Sequence, residues 1–130
     1  MQILQPAAWA RPRGYANGIA AQGRLVFIAG QVGWTAEQRF DHTDLAGQTR
    51  QALQNVVDVL AEAGGRPEHI TRMTWYLIDK RDYIAQAGAI GAAYRAVIGR
   101  HYPAMTAVQV SGLIEGAALV EIEATAVIPL

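Results

Sequence analysis

The chain has no cysteine, which excludes a disulfide framework, a thiolate nucleophile and a sulfur metal site. It has a single serine, Ser111, in QVSGLIEG rather than in a Gly-x-Ser-x-Gly elbow, so that residue reads as part of a turn. Charge is scarce too: 17% of residues are charged, against roughly 25% in an average soluble domain. Eleven basic residues balance eleven acidic ones, so no global field draws in nucleic acid, an acidic membrane surface or a polyanion. Gly14, Gly18 and Gly23 lack the spacing of a phosphate loop, and no Gly-Lys-Ser/Thr follows them. His42, His69 and His101 stand apart, with no second histidine at metal-binding spacing, and read as surface or capping residues; neither a metal nor a cofactor is expected. No run approaches eighteen apolar residues, and MQILQPAAWARPRG lacks the basic start and apolar run of a secretion signal. The expectation is a cytoplasmic protein with no membrane segment.

What is abundant is apolar: 52% of the 130 residues are hydrophobic. That length suits one domain, residues 1–130, able to bury roughly two-thirds of the surface its unfolded chain exposes. So much apolar surface on a small chain points to a permanent oligomer, because obligate interfaces resemble a core cut in half.

NGIAAQGRLVFIAGQVGW reads as two strands joined at AAQGR, with Gly23 supplying the turn. Between Asp44 and Ala63, the residues Leu45, Ala52, Leu53, Val56, Val57 and Leu60 recur at helical spacing, and Gly64-Gly65 stops the run. Pro67 opens a short connector, and ITRMTWYLID follows as a strand of β-branched and aromatic residues. Asp79 or Asp82 can cap a second helix with Tyr83, Ile84, Ala87, Ile90, Tyr94, Val97 and Ile98 on one face, ending at Gly99. After Pro103, AMTAVQV is extended, and a turn at Ile114-Glu115-Gly116 leads into ALVEIEATAVI.

The expected order is β-β-α-β-α-β-β, an α+β fold with one mixed sheet and two helices on one face. Helices about 10 Å across cannot cover both faces of strands spaced nearly 5 Å apart. In the last strand Val120, Ile122, Ala124, Ala126 and Ile128 share one face, and Glu121, Glu123, Thr125 and Val127 share the other. A face bearing Glu121 together with Met105, Ala107 and Gln109 is too apolar for water and too polar for a dry core. It fits burial against other subunits with a polar pocket left between them. Glu123 is expected to pair with an arginine at a rim. Glu121, deeper in the strand, suits a pocket, where an enclosed carboxylate can hold a water or shuttle a proton. Trp34, Trp75 and Tyr76 read as packing residues, since no basic stripe accompanies them.

The segments RGYANGIAAQGRLVFIAGQVG, QTRQALQNVVDVLAEAGG, ITRMTWYLIDKRDY, HYPAMTAVQVSGL and ALVEIEATAVI resemble, in order and over essentially the whole chain, the RidA (YjgF/YER057c/UK114) family. The resemblance implies a chorismate-mutase-like fold assembled as a homotrimer, with helices outside, sheets lining an inner barrel, and three small-molecule clefts at the subunit boundaries. It also implies that Glu121 positions a water and that Tyr15 orients a ligand, with Ala29, Gly30, Gln31, Gly91, Met105 and Ala107 lining the cleft. In active members of that family, an arginine just after Pro-Ala grips the carboxylate of an amino-acid-derived imine, and water then releases ammonia and a 2-oxo acid. Here that position is Met105, which offers no charge. The family's serine before Gly-Gln is Ala29, its cysteine two residues past the arginine is Ala107, and its helix-two asparagine falls at Gly91, leaving Tyr15, Gly30 and Glu121 as carry-overs. Between Asp82 and Tyr94 the chain is about four residues longer than is usual in the family, roughly one helical turn.

Loss of the guanidinium, whose planar donors meet a carboxylate bidentately, argues against efficient deamination of small imines unless Arg11, Arg13 or Arg72 substitutes. The cleft is expected to be roomier and more apolar, suited to a larger or neutral ligand. The leading expectation is a hydrolytic trimer of an arginine-lacking branch acting on an unidentified metabolite. The alternative is a non-catalytic trimer that binds or senses a small molecule.

Overall fold

The helical periodicity after Asp44 becomes α1, Leu45–Glu62, in the computed structural model, which describes residues 1–130. Asp44 caps it by accepting a hydrogen bond from the Gly47 N–H at 3.0 Å, satisfying one of the donors that a helix start leaves free. Leu45, Ala52, Leu53, Val56 and Leu60 form its buried stripe, and Gly64 takes a left-handed φ of 77° just past its end.

Under that stripe lies a four-stranded sheet of β3 (Arg24–Val32), β4 (Ile70–Leu77), β5 (Ala104–Gln109) and β6 (Val120–Ile128) in the order β3-β6-β4-β5. β4 and β5 are parallel and the other two pairings antiparallel, so the sheet is mixed, as expected. Seventeen buried residues between helices and sheet form the core, including Trp75 and Met73 of β4 and Val120 and Ile122 of β6. Ahead of β4, Pro67–His69 is a 3-10 turn in which His69 Nδ1 accepts from the Arg66 N–H at 2.9 Å, the capping role its isolation suggested.

Two local features depart from the expected order. The strand expected to fold back on β3 is β2, Gly18–Ala20, and it pairs instead with an added strand, β1, Gln2–Leu4. Gly23, at φ +151°, has the Ile128 carbonyl where a Cβ would lie, and this turns the chain along β6 rather than back upon β2. The second helix is also interrupted: α2, Lys80–Ala85, capped by Asp79, gives way at Gln86 to α3, Ala87–Val97. The Gln86 side chain donates to Asp82 and accepts from the Ala46 N–H at the start of α1, which fixes the break. Its rotation swings Ile84, expected on the buried face, out to 69% exposure and leaves Ala87 exposed, while Ile90, Tyr94 and Ile98 stay buried. No helix is long and apolar enough to cross a membrane.

One buried polar side chain fixes the loops at one end of the sheet. Gln48 of α1 donates to the carbonyls of His42 at 3.1 Å and Ala117 at 2.9 Å and accepts from the Leu119 N–H at 2.8 Å. It thereby positions the entry to β6 one residue before Val120. Gln48→Ala strands three backbone groups and is expected to cost about 2–4 kcal/mol, read as a lower denaturation midpoint at unchanged m-value.

Candidate functional site

Residues paired across neighbouring strands share a sheet face, so the register assigns every candidate to a side. Glu121 pairs with Tyr76 and Glu123 with Thr74, opposite the helices, whereas Met105 pairs with the buried Met73 and Ala107 with the buried Trp75. The expectation that Glu121, Met105, Ala107 and Gln109 share one face is therefore corrected: Thr106 and Val108 of β5 stand with Glu121, and Met105, Ala107 and Gln109 turn to the helices. Parallel pairing with β4 sets this alternation, and AMTAVQV carries too little polar contrast to reveal it.

On the open face, β3 slips register between Ile28 and Gln31, a bulge over Ala29 and Gly30. Gln31 Nε2 donates back to the Ala29 carbonyl at 3.0 Å. Gly30 lies so close to Glu121 that a Cβ there would overlap its carboxylate, so the glycine makes room for the half-buried acid. Gly30→Ala is expected to leave the fold intact at a cost of about 1 kcal/mol while pushing the Glu121 carboxylate aside. Melting curves read the cost, and a crystal structure of the variant reads the displacement.

Glu123 accepts a 2.7 Å hydrogen bond from Tyr76 Oη rather than pairing with an arginine. That bond holds the Tyr76 phenol above its ordinary pKa. Phe27, 75% exposed, and Leu25, 58% exposed, extend this face as bare apolar surface.

The helix side holds a hollow of about 560 Å³ between the β5 edge and α3. Tyr15, Gly91, Met105 and Ala107 all line it. Tyr15 is 41% exposed and is carried there because Ala16 docks on β5, with its N–H donating to the Pro103 carbonyl at 2.9 Å. Four further aromatics form the walls: Trp75, Tyr83, Tyr94 and Tyr102. Tyr94 and Tyr102 stack at 5.4 Å with 9° between planes, and Tyr94 Oη donates to the His101 carbonyl at 2.6 Å. Burial raises the pKa of both the Tyr83 and Tyr94 phenols, so they are neutral hydroxyls near neutral pH.

Of the three arginines considered as substitutes, Arg13 lines this hollow, Arg72 lies on the open face beside Ala29 and Glu123, and Arg11 lines neither. A fourth, Arg95, was not anticipated. It sits one turn after Gly91 on α3, and a Cβ at position 91 would stand 3.2 Å from its Nη1, so its guanidinium folds back across the glycine. The pattern Gly-x-x-x-Arg on a helix was the available signal, because long helical side chains lean toward the preceding turn.

Within one chain the candidates thus form two groups on opposite faces of the sheet: Ala29, Gly30 and Glu121 on the open side, and Tyr15, Gly91, Met105 and Ala107 on the helix side.

A mixed sheet covered by helices on one face, with polar groups and a hollow at its edges, is the protomer that the sequence resemblance implied. The chain matches the Endoribonuclease L-PSP family over residues 6–128 and belongs to that family, the RidA family. It is 34% identical over 137 residues to a RutC family protein of Synechocystis sp., covering 99% of this chain and 98% of the relative. It is 29% identical over 105 residues to a human 2-iminobutanoate/2-iminopropanoate deaminase, covering 80% of this chain and 73% of the relative. Among solved structures, the Rid family protein YyfB of Yersinia pestis, of unknown function, superposes with a TM-score of 0.85 at 32% identity over 98% of both chains.

Proposed function

We propose that protomers associate through the open sheet face as a homotrimer, bringing Gly30 and Glu121 of one against the Tyr15–Met105 hollow of the next. The shared cleft takes a small molecule. The observation that carries this reading is the split itself: residues expected to serve one ligand occupy opposite faces of each chain, so only a neighbouring copy brings them together. The exposed Phe27, Leu25 and Val108 support it, because that apolar surface calls for cover.

In this cleft Glu121 holds a water and takes its proton as the oxygen bonds to the carbon of a C=N group. Glu121 returns that proton to the nitrogen, and as the carbinolamine collapses its hydroxyl proton passes to the nitrogen as well, so that the C–N bond breaks, ammonia leaves and a carbonyl product remains. A positioned carboxylate suits both proton transfers. The relative named a 2-iminobutanoate/2-iminopropanoate deaminase supports this chemistry for the scaffold. The uncharged thioether of Met105 turns the cleft away from the smallest imino acids. The balanced charge of the chain gives a polynucleotide no basic track, which keeps the reading with small molecules.

The test generates 2-imino acids in situ from a panel of amino acids and follows release of 2-oxo acid by the wild type and by Met105→Arg. Wild-type turnover above the buffer rate on any member of the panel is the expected result. Turnover confined to Met105→Arg contradicts the hydrolytic reading and leaves a trimer that binds without catalysis, which the neutral Met105 also favours.

A further inference from the structure

We infer that Arg95, together with Arg13, is the anion anchor of the helix-side hollow, and that the ligand is an anion carrying an aromatic ring. The inference rests on the cleft reading above and specifies what the cleft takes.

Four observations carry it. First, within one chain the hollow is lined by two arginines and no acidic side chain, so the site stays net positive when Glu121 of the next protomer faces it. Second, neither arginine belongs to the two ion pairs of the chain, Arg39–Asp41 and Arg66–Glu68, and neither donates a hydrogen bond to any protein group. Two unpaired guanidiniums beside one hollow suit a carboxylate or a similar oxyanion.

Third, Trp75 lines the hollow at 1% exposure, and its indole Nε1–H has no acceptor. A buried donor without a partner is costly, so a ligand that shifts this ring changes the environment of its N–H. Fourth, the walls are aromatic on several sides, with Trp75 edge-on to Tyr83 at 6.3 Å and the Tyr94–Tyr102 stack beyond. Rings favour offset or edge-on packing against another ring, so a flat aromatic body fits where a three-carbon acid leaves empty space.

The residues at 91, 95 and 105 make a coherent set. A Cβ at position 91 would stand 3.2 Å from Arg95 Nη1 and oblige the guanidinium to shift slightly, and β5 adds only the uncharged Met105 and the small Ala107 to the lining. The positive charge reaches the hollow from α3 instead of from β5. The neutral Tyr83 and Tyr94 hydroxyls place no negative charge against it.

The experiment titrates the assembled wild-type protein with three probes: phenylacetate, its neutral isostere phenylacetamide, and acetate, which lacks the ring. Binding is followed by calorimetry and by the three tryptophan indole N–H signals in a nitrogen-15 spectrum, with Trp75→Phe used to assign one of them. The expected result is that phenylacetate binds at least ~10-fold more tightly than either comparison probe and shifts the Trp75 signal. Arg95→Gln lowers phenylacetate affinity to the phenylacetamide level, and Arg95→Lys recovers part of the loss.

Equal affinity for acid and amide, unchanged binding in Arg95→Gln, or no phenylacetate binding in the millimolar range each overturns the assignment. So does loss of assembly in Arg95→Gln, which makes that arginine a subunit contact. These readouts involve no turnover, so failure of the anchor stays distinct from failure of the hydrolytic reading, which is tested with imines.

Discussion

Glu121→Gln should reduce 2-oxo acid release by about 10²- to 10⁴-fold while leaving the sedimentation coefficient and melting temperature near the wild-type values. The amide keeps the shape and one acceptor of the carboxylate, so a water can still be held, but it takes no proton from that water. Glu121 stands half-buried beside Gly30, with no side-chain partner in its own chain, so its replacement disturbs chemistry more than packing. The check is steady-state turnover on the best imine of the panel, run beside sedimentation of the same sample. A variant that retains turnover shows that another group activates the water.

Trp75→Ala has the largest expected effect on stability, a loss of about 3–5 kcal/mol. The indole lies at the centre of the sheet, paired with Ile122 on one side and Ala107 on the other, and packs against both Tyr83 and Tyr94. Removing it joins the core to the hollow, and the aromatic walls lose the ring that orders them. Chemical denaturation at fixed protein concentration measures the loss, since association shifts apparent stability by mass action. A cost below about 1 kcal/mol contradicts the packing described.

Much of the fold was legible because strong periodicities leave few options. α1 declared itself through its apolar stripe and the Gly64-Gly65 stop, β4 through its β-branched and aromatic run, and β6 through an alternation that the structure keeps in the buried Val120, Ile122, Ala124 and Ala126. The β1–β2 pairing was not legible: each strand has three residues, and β1 is exposed throughout. The break at Gln86 was hidden as well, because it depends on hydrogen bonds to Asp82 and to the distant Ala46.

The site was half legible. Gly30 and Glu121 were named through the family resemblance, and their close approach to each other is visible only in the structure. The facing of Met105 and Ala107 left none: alanine, threonine, valine and methionine tolerate either side of a sheet, and only the register with Met73 and Trp75 decides. Arg95 was overlooked for a different reason. An arginine in the last turn of a helix reads as a complement to the helix dipole until its neighbour Gly91 is seen to leave space for it.

The absence of cysteine allows the central claim, a site shared between protomers, to be tested with two introduced thiols. Ala29 lies by the open-face bulge and Ala107 faces the helix-side hollow, so the sheet stands between them within one chain. Treated with a short bismaleimide, the Ala29→Cys/Ala107→Cys double variant is predicted to run as a covalent trimer on a denaturing gel, and neither single variant can pass a dimer. A double variant that stays monomeric under the same treatment contradicts the account.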